Sequence, residues 1–497
     1  MALRSMIASA APRRMTPATG AINLTLMEHP DPFVPRVQAL LGKAGYLASP
    51  EHMARYLRDW RGLYEGKARL VARPGSTEEV AALVRLCAEE RIGIVPQGGN
   101  TGLVGGATPS TGGSDIVLSL ERLNRIRSLD PADFSITVDA GCILADVQNA
   151  AAGVDRLFPL SLGAEGTCQI GGNISTNAGG INVVRYGNTR DLVLGLEIVL
   201  PDGSIWDDLR RVRKDNTGYP LRQLFIGAEG TLGVITAAAL KLFPVPRQRA
   251  TALVTVGDAQ SACNLFSFFE TRLGDCIASF EYMSAAALQL AIDRIPGTVW
   301  PLGAPVSDCV LIELSWTLEQ PPLSELLQAT LADGMEAGFL VDAVLADSEA
   351  KRLALWRIRE AVVEAQRVTG ASIKHDVSVP ISEVAAFMTQ AHAAVSKILP
   401  GTRILPFGHL GDGNIHYNLM RPLSIEDPAF LHQAEILTRA VHDIVCAFGG
   451  SFSAEHGLGQ LRRSEADRYK STSEREAMKR IKTVFDPHGL MNPGKVL

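Results

Sequence analysis

Two of the chain's ten histidines lie close together in a segment whose residue types and spacing suit metal binding. The segment 408–418 reads Gly-His-Leu-Gly-Asp-Gly-Asn-Ile-His-Tyr-Asn and contains His409 and His416. Asp-Gly and Gly-Asn between two β-prone arms are a hairpin signal. With Asp412-Gly413 at the turn, the two histidines become near-opposite residues, whose Cβ atoms lie about 4.5–5.5 Å apart across paired strands. This spacing lets two imidazoles share one ion, and Asn418 faces the same side as His416.

A second segment, 451–459, places a carboxylate and an imidazole side by side in a glycine-flanked turn, at Glu455 and His456. Neighbouring side chains point in different directions, so one can bind a metal while the other faces a reacting carbon. Two histidines and a carboxylate with open coordination positions suit Zn²⁺, with Mn²⁺ or Fe²⁺ as alternatives. A lone histidine is usually a core residue, but three histidines in two short segments favour a functional site.

Three glycine-rich segments indicate a nucleotide-like, polyanionic ligand. They are 96–102, directly after a predicted strand, 163–180 and 227–233. Consecutive glycines permit positive φ angles and let backbone N–H groups converge on a pyrophosphate. One such loop is more often a tight turn, but three, each joined to Ser, Thr or Asn, favour a ligand site. The sequence contains neither Gly-x-Gly-x-x-Gly nor Gly-Lys-Ser/Thr, so the usual dinucleotide and P-loop motifs are missing.

Composition excludes several classes of protein. The chain has 497 residues, of which 46% are hydrophobic, enough for at least two separate cores. No apolar run approaches the roughly 18–20 residues that cross a bilayer, which predicts a soluble chain without a transmembrane segment. The net charge of −5, with both signs interspersed, argues against a nucleic-acid partner. The seven cysteines are scattered without a Cys-x-x-Cys, which predicts unpaired thiols in a reducing compartment.

The N-terminal extension, residues 1–27, has an unusual composition. It contains Arg4, Arg13 and Arg14, no acidic residue, and many Ala, Ser, Thr and Pro. This composition suits a mitochondrial targeting segment. A disordered tail, with Met27 as the functional start, is the alternative, and the absence of an amphipathic period favours it. We therefore expect a cytoplasmic protein, or a protein of the mitochondrial matrix if the extension is a targeting segment.

Local signals divide the rest of the chain into an α/β first region and a mixed second region. The first region predicts a capped helix that begins after Ser76 and ends near Gly93. Its predicted strands are 68–72, 94–96, 115–120, 135–139, 192–200 and 232–241. Phe243-Pro244-Val245-Pro246 marks a boundary. The second region predicts helices at 259–273, 285–292, 323–337, 348–368, 381–399 and 465–485, and strands at 253–256, 310–315 and 372–377. The resulting division is 1–27, 28–245, 246–455 and 456–497.

The glycine-rich segments resemble the flavin-binding segments of the vanillyl-alcohol-oxidase (PCMH) type of FAD domain. The resemblance implies an α+β fold: this FAD domain, an α+β substrate (cap) domain, and a short helical C-terminal segment that returns to the flavin. It implies non-covalent FAD, since no histidine lies between His52 and His375 to tether the flavin from the binding loops. The implied FAD contacts are Pro96, Gly98, Gly99, Asn100, Thr101 and Gly102 at the pyrophosphate, Thr167, Asn173, Ser175, Asn177 and Gly179 at the ribityl chain and ring, Gly230 and Ile235 at the adenine end, and Asn492 in the terminal segment.

The histidine segments resemble the C-terminal domain of FAD-linked oxidases, in the group that contains D-2-hydroxyglutarate and D-lactate dehydrogenases. Together with the flavin segments, the resemblance covers the chain from about Arg69 to its end. It implies that His409, His416 and Glu455 bind the metal and that His456 is the general base. It also implies that Asn418 contacts the substrate.

Further substrate-binding residues are implied by the same resemblance. Arg359 matches a helical arginine that binds the substrate carboxylate, and Lys374 matches a lysine that helps to hold the distal carboxylate in the hydroxyglutarate enzymes. Val363 departs from the pattern, because the hydroxyglutarate type carries threonine there and a lactate type a bulky aromatic residue. Valine cannot donate a hydrogen bond to a distal carboxylate, which leaves a roomier and more permissive pocket as an alternative.

The implied activity is metal-assisted oxidation of a D-2-hydroxy acid, foremost D-2-hydroxyglutarate, to the 2-oxo acid, with hydride transfer to flavin N5. The reduced flavin then passes its electrons to an acceptor such as electron-transfer flavoprotein, a quinone or a cytochrome. A homodimer is compatible with the sequence, which does not determine oligomeric state. Three alternatives stay open: a D-lactate or glycolate dehydrogenase, a flavin-bearing transferase of ether-lipid synthesis, and a non-catalytic subunit that relays electrons. The full set of three histidines and a glutamate argues against the transferase.

Overall fold

A computed structural model of the chain describes residues 31–303 and 305–497, so the N-terminal extension predicted over 1–27 lies outside the described residues. The strands of the first half are β1 (Tyr46–Leu47), β2 (Val71–Ala72), β3 (Ile94–Gln97), β4 (Ile116–Ser119), β5 (Ile126–Asp130), β6 (Ser135–Asp139), β7 (Arg156–Leu157), β8 (Val193–Val199), β9 (Ile205–Asp208), β10 (Val234–Lys241) and β11 (Phe243–Pro244). The helices of this half are α1 (Phe33–Leu41), α2 (Pro50–Leu57), α3 (Thr77–Glu90), α4 (Leu144–Ala152), α5 (Ile170–Ser175), α6 (Val183–Tyr186), α7 (Thr189–Leu192) and α8 (Arg222–Phe225).

The first half folds around two sheets that share one hydrophobic core. A four-stranded sheet has the order β1-β2-β4-β3, and its last three strands are parallel. A five-stranded antiparallel sheet has the order β5-β6-β10-β8-β9. Both β6 and β8 are buried along their whole length, and this explains the near-continuous apolar sequence of β8. Helix α3 begins as predicted, because the Ser76 side chain accepts the N–H of Glu79 at 3.2 Å.

The strands of the second half are β12 (Gln248–Thr255), β13 (Ile277–Met283), β14 (Cys309–Trp316), β15 (Asp342–Leu345), β16 (Ser372–Ile373), β17 (Asp376–Ser378), β18 (Arg403–His409) and β19 (Asn414–Met420). Its helices are α9 (Ala259–Leu273), α10 (Ala285–Arg294), α11 (Leu323–Glu336), α12 (Glu349–Thr369), α13 (Val384–Ile398), α14 (Asp427–Leu431), α15 (Ala434–Ala447), α16 (Arg463–Tyr469) and α17 (Thr472–Phe485).

One antiparallel sheet organises this half, with the order β15-β12-β14-β13-β18-β19-β16 and with β17 paired to β19. Successive residues of a strand face opposite sides of a sheet. Accordingly, Ile312 belongs to a core shared with helices α9, α11, α13 and α15, while Leu311 belongs to a separate core shared with α10 and α12. The sheet is therefore covered by helices on both faces, and β13, β18 and β19 are held rigidly in its middle.

The end of the chain returns to the first half. Met491 forms a parallel bridge to Ile94, and the backbone N–H of Asn492 donates to the Ile94 carbonyl at 2.8 Å. This contact brings the C-terminal segment beside the start of the first glycine-rich loop, which directly follows β3.

Elements with strong local signals agree with the sequence predictions, and two predicted elements are divided. The predicted helix 259–273 and strand 135–139 coincide with α9 and β6. The single strand predicted at 372–377 is wrong, because Lys374 and His375 separate β16 from β17. The single helix predicted at 465–485 is also wrong: α16 ends at Tyr469, and Ser471 caps α17 by accepting the N–H of Glu474 at 3.1 Å.

Two further predictions concern thiols and membranes. All seven cysteines are free, as the scattered spacing predicts. Within the described residues, no helix combines the length and the apolar character needed to pass through a bilayer.

Candidate active site

The predicted histidine hairpin forms, but its two histidines are not directly opposite each other. His409, the last residue of β18, pairs with Asn414, and His416 of β19 pairs with Phe407. The connection is longer than a two-residue turn: a 3₁₀ turn at Leu410–Asp412 precedes a left-handed glycine at 413. The histidines are therefore diagonal neighbours on one face, and their ring centroids lie 5.5 Å apart.

Glu455 completes a candidate metal site with these two histidines. One ligand atom from each of His409, His416 and Glu455 lies within 4.8 Å of the others, and Nε2 of His409 is 3.8 Å from a carboxylate oxygen of Glu455. Two imidazoles and a carboxylate suit Zn²⁺ and leave positions free for water or substrate. The residues that the structure brings together thus fit a divalent cation.

Two buried carboxylates hold the turn that carries Glu455 and His456. Asp376 of β17 accepts their backbone N–H groups at 2.9 and 3.0 Å. Glu229, from the third glycine-rich segment, accepts the N–H groups of the residues at 458 and 459 at 2.7 and 2.8 Å. Burial alone would raise the pKa of Asp376, but the charges of His456 and His416 outweigh it and hold this pKa below its ordinary value. The turn is therefore fixed from both halves of the chain.

His456 lies beside the candidate metal site with its ring nearly parallel to that of His416, at a centroid distance of 6.5 Å and an interplanar angle of 15°. Its Nδ1 is 3.3 Å from Asp376. Burial lowers the pKa of His456 to about 4, although the Asp376 carboxylate acts in the opposite direction. The imidazole is therefore neutral near pH 7 and able to accept a proton.

Arg359 reaches the same region from helix α12. Only 7% of the residue is exposed, its Nε donates to Glu281 at 2.9 Å, and its guanidinium lies 4.8 Å from the centroid of the Phe407 ring. The other oxygen of Glu281 is 2.6 Å from Nδ1 of His409. Burial lowers the pKa of His409, but Glu281 outweighs burial and raises it to about 9. A cation at Nε2 of His409 would therefore compete with a proton for that atom.

The other implied substrate residues differ in their contacts, and among the described residues Lys374 has no hydrogen-bond or ion-pair partner. The amide of Asn418 is already engaged, since its nitrogen donates to Gln366 at 2.8 Å and its oxygen accepts the backbone N–H of His375 at 3.2 Å. Val363 is 45% exposed on α12. Lys374 lies in the break between β16 and β17, and no described residue forms an ion pair with it.

Arg61 is a neighbour of Lys374 that the sequence did not reveal. Desolvation lowers the pKa of Lys374, and the charges of Arg61 and Arg367 lower it further. The charge of Arg61 also lowers the pKa of His456. Burial lowers the pKa of Arg61 itself, and the charge of Asp376 acts in the opposite direction. None of the described residues forms an ion pair with the Arg61 side chain. The positive charges of Lys374 and Arg61 thus act on each other and on His456.

The three glycine-rich segments and the C-terminal segment converge as the flavin resemblance implies. A β-carbon added at Gly99 would lie 2.1 Å from the backbone oxygen of Thr167, and one at Gly230 would lie 3.1 Å from the Pro96 ring. The N–H of Glu229 donates to the Ser175 carbonyl at 2.8 Å. Close approach between these loops therefore depends on glycine.

This convergence leaves open space and free polar atoms, which fits a bound nucleotide. No atom lies within 4 Å of the β-carbon positions of Gly102, Gly163, Gly166 and Gly172. Side-chain oxygens of Gln169, Asn173 and Asn492 are buried, and no described residue donates a hydrogen bond to them. FAD offers ring N–H and ribityl hydroxyl donors for such oxygens.

The remaining implied FAD residues differ in their surroundings. Asn100 and Asn177 have positive φ angles, 53° and 49°, and the Asn100 side chain donates to the Arg58 carbonyl at 2.9 Å. Thr101 follows in the first loop. Ile235 is buried in the core of the first half, where it pairs with Ile198 of β8. A β-carbon at Gly179 would lie 3.2 Å from Glu455, so the flavin loop and the candidate metal site are in contact.

The sequence alone indicated no functional role for three buried carboxylates, Glu229, Glu281 and Asp376. A signal for Glu281 was present, because an acidic residue in the apolar strand Ile277–Met283 is costly unless it is paired. Its partners could not be known, since they lie 78 and 128 residues away.

The chain belongs to the FAD-linked oxidase family. Residues 245–496 match the family described as "FAD linked oxidases, C-terminal domain", and residues 68–208 match the "FAD binding domain". The protein is accordingly a flavin-dependent oxidoreductase, as the glycine-rich segments and the histidine segments together predict.

Several curated relatives share most of their length with this chain. A probable mitochondrial D-2-hydroxyglutarate dehydrogenase of Oryza sativa subsp. indica is 35% identical over 495 residues, which are 99% of this chain and 85% of the relative. A D-2-hydroxyglutarate dehydrogenase of Xanthomonas citri pv. viticola is 36% identical over 94% of this chain and 97% of its own length. A putative mitochondrial D-lactate dehydrogenase of Schizosaccharomyces pombe is 35% identical over 92% of this chain and 88% of its own.

Solved structures confirm the predicted α+β fold with a PCMH-type FAD domain. A p-cresol methylhydroxylase solved with substrate bound has a TM-score of 0.71 at 16% identity, covering 93% of this chain and 96% of its own. An alkyldihydroxyacetonephosphate synthase has a TM-score of 0.70 at 16% identity, covering 93% of this chain and 84% of its own. At this identity the likeness shows the fold alone.

Substitution of Gly99 tests the close packing between the glycine-rich segments. Gly99→Ala is expected to lower both the melting temperature and the FAD content, because its β-carbon would lie 2.1 Å from the Thr167 oxygen, and such overpacking costs about 1–3 kcal/mol. Thermal unfolding and the ratio of flavin to protein absorbance are the measurements. Gly102→Ala is the matched control for folding, since its β-carbon meets no atom within 4 Å. A wild-type melting temperature for Gly99→Ala would contradict the packing described here.

Proposed function

We propose that the protein is an FAD-dependent, metal-assisted dehydrogenase that oxidises D-2-hydroxyglutarate to the 2-oxo acid. One observation carries the proposal: His409, His416, Glu455 and His456 converge beside Gly179 of the flavin-binding loops. A metal site, a base and a flavin cleft in contact are what oxidation of an alcohol next to a carboxylate requires.

The cofactors would supply the chemistry that side chains lack. The three glycine-rich segments and Asn492 would hold FAD without a covalent tether, and its N5 would supply a hydride acceptor. A divalent cation held by His409, His416 and Glu455, with zinc preferred over manganese or iron, would lower the pKa of the substrate hydroxyl.

His456 is the base in this proposal. Its Nδ1 faces Asp376, so Nε2 is the atom that accepts the hydroxyl proton. The neutral state that burial imposes on the ring leaves this nitrogen free to do so. The Asp376 carboxylate then stabilises the imidazolium and keeps its ring oriented, as a buried aspartate does for the base of a catalytic triad.

A dicarboxylic substrate is favoured by the unpaired cations. Arg359 can bind one carboxylate through its two terminal nitrogens, because only its Nε is bound to Glu281. Lys374, with Arg61 nearby, can bind a distal carboxylate that D-lactate and glycolate do not have. The rice and Xanthomonas relatives are named for D-2-hydroxyglutarate, which agrees with this choice.

D-Lactate or glycolate oxidation by the same residues is the second candidate. It is favoured by Val363, which offers no hydrogen bond to a distal carboxylate, and by the name of the fission-yeast relative. Electron-transfer flavoprotein, a quinone or a cytochrome would reoxidise the flavin. Relatives named as mitochondrial support the hypothesis that residues 1–27 are a targeting segment for the matrix.

Anaerobic reduction of the flavin tests the activity and the base together. Purified protein is expected to be yellow, and D-2-hydroxyglutarate without oxygen should bleach its visible absorbance. His456→Ala should keep FAD bound but bleach about 10²–10⁴ times more slowly, because general-base catalysis contributes that factor. Bleaching at the wild-type rate in this variant would refute the assignment of the base.

Removal of the metal should abolish activity without removing the flavin. Dialysis against a chelator is expected to stop substrate-dependent bleaching, and added Zn²⁺, Mn²⁺ or Fe²⁺ should restore it. Elemental analysis should find about one ion per chain, since the donor set forms a single site. His416→Ala should lose the ion, while His432→Ala, at an exposed position, should retain it. Full activity in metal-free protein would overturn the metal part of the proposal.

Lys374 provides the test of substrate class. Lys374→Ala is expected to raise KM for D-2-hydroxyglutarate about ten- to a hundredfold, because a hydrogen bond to a charged group contributes about 1.5–3 kcal/mol. KM for D-lactate should not change, since D-lactate has no distal carboxylate. Lys397→Ala, on the exposed side of α13, is the control. Equal losses for both substrates would remove Lys374 from distal-carboxylate recognition.

A further inference from the structure

Glu281 is a fully buried carboxylate at the centre of the antiparallel sheet of the second half, and the proposed mechanism assigns it no role. It lies in β13, directly across from His409 of β18 in the strand register, and 1% of the residue is exposed. A carboxylate in such a place is costly unless every oxygen is paired. Each of its oxygens has one strong partner: Nδ1 of His409 at 2.6 Å and Nε of Arg359 at 2.9 Å.

The contact with His409 fixes which nitrogen faces the candidate metal site. A carboxylate only accepts hydrogen bonds, so Nδ1 of His409 must carry the proton. In the neutral ring the lone pair is then on Nε2, the atom that lies 3.8 Å from Glu455. A metal-binding histidine commonly donates its other ring N–H to a carboxylate, which orients the ring and makes it a stronger ligand.

The contact with Arg359 leaves the other end of the guanidinium available. Glu281 binds Nε, the side chain packs over Phe407, and no described residue accepts a hydrogen bond from the two terminal nitrogens. These nitrogens can therefore bind a carboxylate in a bidentate manner. Burial would raise the pKa of Glu281, but His409 and Arg359 outweigh it and lower the pKa to about 2.

We propose that Glu281 is a positioning residue that links metal binding to substrate binding, by holding His409 in its metal-binding tautomer and directing the terminal nitrogens of Arg359 toward the substrate carboxylate. This inference rests on the proposed function. In this proposal the buried side chain of Glu281 affects both the affinity for the metal and the affinity for the substrate. An ion pair with a purely structural role would not link the metal affinity to the substrate affinity.

Glu281→Gln separates the two roles from simple packing, because glutamine has the same shape but one donor and one acceptor. If its oxygen accepts from Arg359, its nitrogen donates to Nδ1 of His409 and forces the proton onto Nε2, which blocks the metal. If its oxygen accepts from His409, its nitrogen meets the Nε–H of Arg359, and the guanidinium is displaced. Each orientation of the amide therefore disrupts one of the two contacts, and a variant that adopts both orientations weakens metal binding and substrate binding together.

The experiment measures Zn²⁺ affinity and substrate KM in FAD-loaded protein. After metal removal, Zn²⁺ is titrated against a competing chelator, a readout that does not depend on turnover. Glu281→Gln is expected to weaken Zn²⁺ binding about 10–100-fold and to raise KM for D-2-hydroxyglutarate and D-lactate alike. FAD content should be unchanged.

Glu313→Gln is the matched control. Glu313 lies on the adjacent strand β14, and its carboxylate pairs with Arg352 of the same helix α12 and with Trp356, at 3.0 and 2.7 Å. This variant should lose comparable stability but keep wild-type Zn²⁺ affinity and KM. Wild-type values in Glu281→Gln, or equal losses in Glu313→Gln, would overturn the inference. Failure of the wild-type protein to bind Zn²⁺ would instead refute the metal part of the proposed function.

Discussion

The turn that carries Glu455 and His456 depends on two buried carboxylates from distant parts of the chain. Asp376, on the antiparallel sheet of the second half, accepts the backbone N–H groups of both residues, and Glu229, among the flavin loops, accepts those of Leu458 and Gly459. Carboxylates buried without such donors would be costly. The turn therefore satisfies both acids, and the same hydrogen bonds that join the two halves also position Glu455, the proposed metal ligand, beside His456, the proposed base.

The site combines two ways of holding a cofactor, and each follows from the elements that supply it. The flavin cleft is built from backbone, since glycine segments approach one another so closely that a β-carbon at Gly99 would meet the Thr167 oxygen at 2.1 Å. The candidate metal site is built from side chains: His409 and His416 lie on a sheet whose two faces are covered by helices, and Glu455 lies in the adjoining turn. A rigid hairpin suits this purpose, because ligand geometry tolerates only small displacements. Behind its imidazoles lie buried carboxylates, Glu281 at His409 and Asp376 near His416 and His456.

The fold of this chain does not by itself determine its activity. Proteins at 16% identity share the fold with TM-scores near 0.7, and their names describe unlike reactions. A fold of this kind can host many chemistries, so the activity has to be argued from side chains. In this chain the proposed activity depends on the histidines, Glu455 and the cations around them, and on the neutral state that burial imposes on His456.

The sequence by itself determined the features that depend on near neighbours. Capping at Ser76 located the start of α3, local signals located α9 and β6, the glycine runs indicated the flavin loops, and Asp412-Gly413 indicated a hairpin. Tertiary structure decided the register that makes His409 and His416 diagonal, and the break in the strand at Lys374. It also decided which groups surround each buried acid. The reason is physical: turn and helix signals act over a few residues, whereas Glu281 acquires its role from a histidine 128 positions away that only sheet pairing brings within 2.6 Å.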